Sequence, residues 1–188
     1  METREAILSV AQRLVQQRGF NGFSYADVAA EVGIRKASLH HHFPTKTDLG
    51  LALIEDYSNQ FDALLAGIDE SVARADQKLR AFADLYRSTL KSDRICLCGM
   101  MGSEAATLDT SVLPKLRRYF SLSTEWLAEV LATGKTQNSL NFNGPAADHA
   151  RMFLSALQGA LLIARATGDH AAFNQTSALL IAGFTRTG

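Results

Sequence analysis

The sequence predicts an all-α fold of about nine helices, divided into a three-helix helix-turn-helix unit over residues 1-48 and a larger helical domain over 49-188. Three observations predict it. Alanine and leucine outweigh the β-branched residues, and only three prolines interrupt 188 residues, a mixture that favours helix over strand. Apolar residues recur at helical spacing through most of the chain. Two helix-start signals, Ser24 with Asp27 and Thr45 with Asp48, stand close together on either side of a glycine and a proline, Gly33 and Pro44. With 47% apolar residues, the chain has enough material for a buried core.

The elements follow in order. A first helix over about Thr3–Arg18 carries Ile7, Ala11, Leu14 and Val15 as one stripe, and Gly19 stops it. Phe20 and Phe23 are expected to plug the small core. Tyr25–Val32 forms the second helix, burying Val28, Ala29 and Val32, and Gly33 supplies a left-handed turn. The third runs from about Lys36 to His42, with Ile34, Leu39 and Phe43 facing inward, until Pro44 ends it. Longer helices are expected over Lys46–Leu65, Ser71–Lys91, Pro114–Gly134, Ala146–Thr167 and Ala171–Thr185, with a short one after Cys98. The polar, Asn-rich stretch Lys135–Gly144 reads as a loop.

Charge is informative locally rather than globally. The formal net charge is zero, yet between Gly33 and Lys46 there are three bases, Arg35, Lys36 and Lys46, and no acid. A helix fits the major groove of B-DNA and its N-terminal residues meet base edges first. Here those residues are Arg35, Lys36, Ala37 and Ser38. Lys46 opens the next helix, where an ammonium and the helix amides together suit a phosphate. The run Gly33–Leu49, G-I-R-K-A-S-L-H-H-H-F-P-T-K-T-D-L, resembles the TetR family of bacterial transcriptional regulators. The motif match covers the N-terminal quarter; the remainder matches in helicity and length. Two departures stand out. Arg35 occupies the place where that family usually has a helix-capping Ser, and His40 the place of its first aromatic, usually Tyr, which makes a phosphate contact there pH-dependent.

The resemblance implies a ligand-responsive DNA-binding regulator, most simply a repressor released from a palindromic operator by a small-molecule effector. The expected DNA-facing set is Ser24, Arg35, Lys36, Ala37, Ser38, His40, His41, Thr45 and Lys46. It also implies a homodimer through the last two helices. Two apolar stripes, more than one small domain needs for itself, favour such an interface over an intramolecular core: Ala150, Phe153, Leu157, Leu161 and Ala164, and Phe173, Ser177, Leu180 and Phe184. The partners are double-stranded DNA, a small molecule and a second copy of the chain. Candidate effector-pocket residues are Phe61, Tyr86, Met101, Glu104, Trp126 and Gln158, which point to a mostly apolar or aromatic effector.

Cys96 and Cys98 lie near a predicted helix start with Lys91 and Arg94 nearby, a setting that favours thiolate. The segment is similar to a cysteine-containing turn in the electrophile-sensing branch of the same family, with Cys96 at the matching position. The alternative is a pair of small buried hydrophobes. His40–His42 carry no metal expectation, because successive residues on a helix point about 100° apart and three imidazoles cannot close on one ion. No cofactor is expected. The N-terminus lacks an apolar leader and the longest apolar runs fall short of a membrane span, so a cytoplasmic protein with no membrane partner is expected. Two rival readings remain at this level: a small helical enzyme, for which no nucleophile–base set or phosphate loop is visible, and an interaction protein that keeps the helix-turn-helix only as scaffold.

Overall fold

The structure, a computed structural model, describes residues 2–185. Among them it holds nine α-helices and one 3-10 turn, with no strand. The helices are α1 (Thr3–Arg18), α2 (Tyr25–Val32), α3 (Lys36–His42), α4 (Lys46–Ser71), α5 (Ala75–Lys91), α6 (Leu97–Ser103), α7 (Leu113–Thr136), α8 (Ala146–Thr167) and α9 (His170–Ala182).

The starts follow the caps. The Glu2 amide donates to Glu5 Oε2 at 3.2 Å ahead of α1. Ser24 and Asp27 form the reciprocal box that opens α2, and Gly33, at φ 78°, closes it. Thr45 and Asp48 open α4 in the same way, the Thr45 amide reaching Asp48 Oδ2 at 2.9 Å and the Asp48 amide reaching Thr45 Oγ1 at 3.1 Å.

The structure redraws several boundaries: α6 starts at Leu97 and so contains Cys98, α7 runs on to Thr136 and α9 ends at Ala182. Helix α4 continues to Ser71, because the Ser71 hydroxyl donates back to the Gly67 carbonyl at 2.6 Å inside α4 instead of capping the next helix. Helix α5 therefore starts at Ala75, after Arg74, which offers no side-chain cap. Helix α9 starts at His170 because Asp169 accepts the Ala172 amide at 3.1 Å. A 3-10 turn, Thr110–Val112, is held by the Asp109 carboxylate on the Ser111 amide at 2.9 Å.

Packing divides the chain into two compact units. The first combines Met1–Phe61 with Cys96–Tyr119. It extends past residue 48 and takes in α6, which packs on α1. Its core holds Ile7, Leu14, Val28, Leu39, Leu49 and Leu53, all fully buried. Val32 and Ile34, expected inside, are only half-buried.

The second unit combines Asp62–Ile95 with Phe120–Gly188, and in it α5, α8 and α9 pack together. Its core corrects one expectation. Ala150, Phe153, Leu157, Leu161 and Ala164, read from sequence as favouring an intersubunit face, are buried within the chain, as are Phe173 and Phe184. Helical periodicity shows which residues share a face; it does not show which face turns inward. The large apolar side chains left exposed on α8 and α9 are others: Met152, Leu162, Ile163 and Leu179, at 48%, 56%, 59% and 74%. None of the helices described is long and apolar enough to cross a membrane.

Candidate nucleic-acid interface

Helix α3 is placed by one side only. Leu39 is fully buried and Phe43 nearly so, which pins the inner face, while Arg35, Lys36, Ala37, His40 and His41 are exposed. Ser38 and His42 lie half-buried at the margins. The exposed face carries two cations in its first turn and no acid. Arg35 is the N-cap residue and makes no side-chain cap, so its backbone carbonyl takes the Ser38 and Leu39 amides at 2.9 and 3.3 Å.

The turn beneath α3 is clamped by Tyr25. Its buried hydroxyl donates to the Phe43 carbonyl at 2.8 Å and lies 2.5 Å from the Thr45 carbonyl. Burial, with the Asp48 carboxylate as a second cause, pushes this phenol up to about 12. His40 lies against the same ring, centroids 4.7 Å apart, and its Nδ1 is 3.2 Å from the Pro44 carbonyl. Arg4 of α1 covers the Phe43 ring at 5.4 Å.

Two hydroxyls of the expected DNA-facing set are already employed. Ser24 Oγ donates to Asp27 Oδ2 and Thr45 Oγ1 to Asp48 Oδ2, each at 2.7 Å. A phosphate needs donors, so these side chains shape the helix starts and leave donation to their neighbours.

Lys46 has a structural task that the sequence did not reveal. Its Nζ donates to the Phe23 carbonyl at 2.6 Å and sits over the Phe20 and Phe23 rings at 5.0 and 4.5 Å. The two rings meet edge to face at 5.9 Å. Burial lowers the Lys46 ammonium below the usual lysine range, and the Glu104 and Asp27 carboxylates partly oppose that shift.

Glu104, expected in an effector pocket, also has a partner in this region. Its Oε2 accepts the Asn21 amide at 3.0 Å, and the Asn21 side chain donates to Thr107 Oγ1 at 2.8 Å. Gly19 adopts φ 86°, and a β-carbon there would collide with Glu104 Oε1. The end of α6 is thus closed against the α1–α2 loop. Met101 is fully buried, its Cε 3.6 Å from where a β-carbon on Gly50 would stand.

The remaining pocket candidates fall into two groups. Phe61, in the first unit, packs on Tyr119 with ring centroids 5.3 Å apart. In the second unit, Gln158 Nε2 donates to the Tyr86 hydroxyl at 3.5 Å, and Trp126 stacks on Phe82 at 5.5 Å, which also contacts Tyr86. The Trp126 indole N–H donates to Asp69 at 2.8 Å. A cleft of about 130 Å³ opens beside it, lined by Asp69, Lys78, Trp126, Glu129, Val130 and Thr133 among others.

Both cysteines are fully buried and free. Cys96 is the N-cap of α6: its Sγ accepts the Gly99 amide at 3.4 Å and lies 3.6 Å from the Tyr119 hydroxyl. Burial, with Cys96 as a further cause, pushes the Cys98 thiol well up.

The family model described as bacterial regulatory proteins, tetR family, matches residues 7–53. A TetR-family transcriptional regulator from Agrobacterium tumefaciens superposes with a TM-score of 0.94 at 33% identity over 98% of both chains. A TetR transcriptional regulator from Legionella pneumophila does so with a TM-score of 0.90 at 31% identity, again over 98% of both. The transcriptional repressor NemR of Escherichia coli is 23% identical over 173 residues, 87% of this chain and 84% of that protein.

Proposed function

The chain belongs to the TetR family of bacterial regulatory proteins and is a DNA-binding transcriptional regulator; from that premise we propose that it is a homodimeric, cytoplasmic repressor that leaves a pseudo-palindromic operator when a small effector binds. The observation that carries this reading is the outward face of α3, with Arg35 and Lys36 in its first turn, no acid, and Leu39 and Phe43 fixing the opposite side. Arg and Lys can read guanine O6 and N7 in the major groove. Ala37 and Ser38 sit beside them, and His40 and His41 lie a turn further along. Ser24 and Thr45 set the ends of α2 and α4. Lys46 adds its charge, although one of its protons is committed to the Phe23 carbonyl.

The aromatic group of Tyr86, Phe82 and Trp126, with Gln158 as its polar handle, supports a mostly apolar or aromatic effector. An electrophilic or oxidising effector is the second reading, and one contact favours Cys96 over Cys98 for it. Its sulfur caps the helix whose other end is closed on the α1–α2 loop through Glu104, so modifying that sulfur removes the cap. Alkylation or oxidation of the purified protein, followed by mass spectrometry and a gel shift, tests it. A modified Cys96 with unchanged operator affinity ends that reading.

Selection of bound duplexes from a random library tests the main proposal. The expected product is a pseudo-palindrome whose half-sites lie about 34–36 Å apart, one helical turn, or a multiple of that spacing. Recovery of no enriched duplex overturns it.

A further inference from the structure

The cleft beside Trp126 is bounded by the end of α4, the turn into α5 and one face of α7. Its charges are unevenly paired. Asp69 is committed twice, to the Lys78 ammonium and to the Trp126 indole N–H, so the cation in the cleft is cancelled by the aspartate. Glu129 is exposed on α7, and its carboxylate has no hydrogen bond or ion pair among the described residues. One turn further on, the Thr133 hydroxyl is likewise uncommitted among them. Trp126, Glu129, Val130 and Thr133 recur at helical spacing, which puts them on one side of α7. The indole has one polar atom, held by Asp69, and one ring face is stacked on Phe82 at 5.5 Å. What Trp126 offers the cleft is therefore π surface. Ala73 and Val130 add apolar wall. An unpaired carboxylate, a hydroxyl free to accept and an indole π surface all attract a cation.

We propose that this cleft is a binding site for a small primary alkylammonium. Its N–H groups donate to the Glu129 carboxylate and the Thr133 hydroxyl, and its alkyl chain lies against Trp126, Ala73 and Val130. A primary ammonium suits the site better than a quaternary one, because both free groups accept hydrogen bonds and only an N–H can donate to them. The volume sets the size: about 130 Å³ is the share of about four waters at roughly 30 Å³ each, which admits a ligand of about five heavy atoms. Tyr86 and Gln158 do not line this cleft, so the site is separate from the aromatic group they belong to, and it is independent of how the chain reads DNA.

Trp126 is the single tryptophan of the chain, which makes occupancy directly readable. Butylammonium, butanol and butyrate share one carbon skeleton and differ in head group and charge. Each is titrated into the full chain at neutral pH and fixed ionic strength, with Trp126 fluorescence and the one indole N–H resonance of isotopically labelled protein as readouts. Butylammonium is expected to shift both signals saturably and to bind at least about tenfold more tightly than butanol or butyrate, the factor that a charge-assisted hydrogen bond carries. Tetramethylammonium, a cation without N–H, is expected to bind more weakly than butylammonium. Glu129→Gln, at an exposed position, should abolish the preference for butylammonium over butanol. Glu125→Gln, which removes an exposed acid of α7 outside the cleft, should leave it intact. A response to butyrate alone would assign the cleft to an anion on Lys78 and overturn the proposal. Equal binding of butylammonium and butanol, or of butylammonium and tetramethylammonium, overturns it too, as does a preference that survives Glu129→Gln or an indole resonance that none of the four compounds moves.

Discussion

Arg35 shows how one residue trades local stability for charge. A short acceptor side chain at that position would hold an open amide of α3, whereas Arg35 makes no such cap. Arg35→Ser is expected to raise stability by about 0.5–1 kcal/mol, the lower part of the usual capping range. The same change is expected to weaken DNA binding by about 1–3 kcal/mol and to relax the sequence preference at one base position of each half-site. Denaturant unfolding and anisotropy on duplexes altered one base pair at a time measure the two effects, and an unchanged unfolding midpoint would show that the amides need no cap. Tyr25 gives a prediction in pH. Its phenol is raised to about 12 from the ordinary value of about 10, so folding favours the neutral form. That stability is full below pH 10 and is lost as pH climbs through 12. Tyr25→Phe should flatten this alkaline loss while removing about 1–2 kcal/mol at neutral pH with the buried hydroxyl's hydrogen bonding, as unfolding series at neutral and alkaline pH would show.

At the scale of elements, what the sequence made legible was the short-range grammar. Ser24–Asp27 and Thr45–Asp48 announced α2 and α4 because both partners of each box lie within four residues. Asp169 and Asp109 carry equally local signals, each carboxylate accepting an amide two or three residues on. Glu104 was a different case. Its partner amide is Asn21, 83 positions away, and no spacing rule connects them. The outward residues of α3 were legible from composition, but the commitment of Lys46 to Phe23 was not, for the same reason of distance along the chain. The latch at Glu104 has a measurable consequence. Glu104→Ala is expected to lose about 1 kcal/mol of stability with the freed Asn21 amide. Glu104→Gln keeps an oxygen acceptor and should recover most of it, though not the carboxylate's support of the Lys46 ammonium. Paired denaturation curves decide this, and equal losses in the two variants would mean that the hydrogen bond contributes nothing.

For the whole molecule, the decisive fact is which apolar surface the chain leaves uncovered. The stripes legible in α8 and α9 turned inward, since a lone chain must bury Phe153, Leu157 and Phe173 to close its own core. What these two helices leave outside is Met152, Leu162 and Ile163 on α8 and Leu179 on α9, each about half exposed or more. Gly159, between Met152 and Ile163 on the same helix, has open space where a β-carbon would stand, which permits close approach of another backbone. Large apolar side chains grouped on neighbouring elements are the ordinary content of an obligate interface. If this face joins two copies, Ile163→Asp places a charge where water is to be excluded. It should convert a dimer into a monomer of half the mass by light scattering, with helical circular dichroism retained because Ile163 lies outside the chain's own core. Operator affinity should then fall by about 100-fold or more, since two linked readers gain that factor over one. A dimer that survives both Ile163→Asp and Leu179→Asp would place the interface elsewhere. A monomer that binds the palindrome as tightly as wild type would break the link between pairing and reading on which the repressor proposal depends.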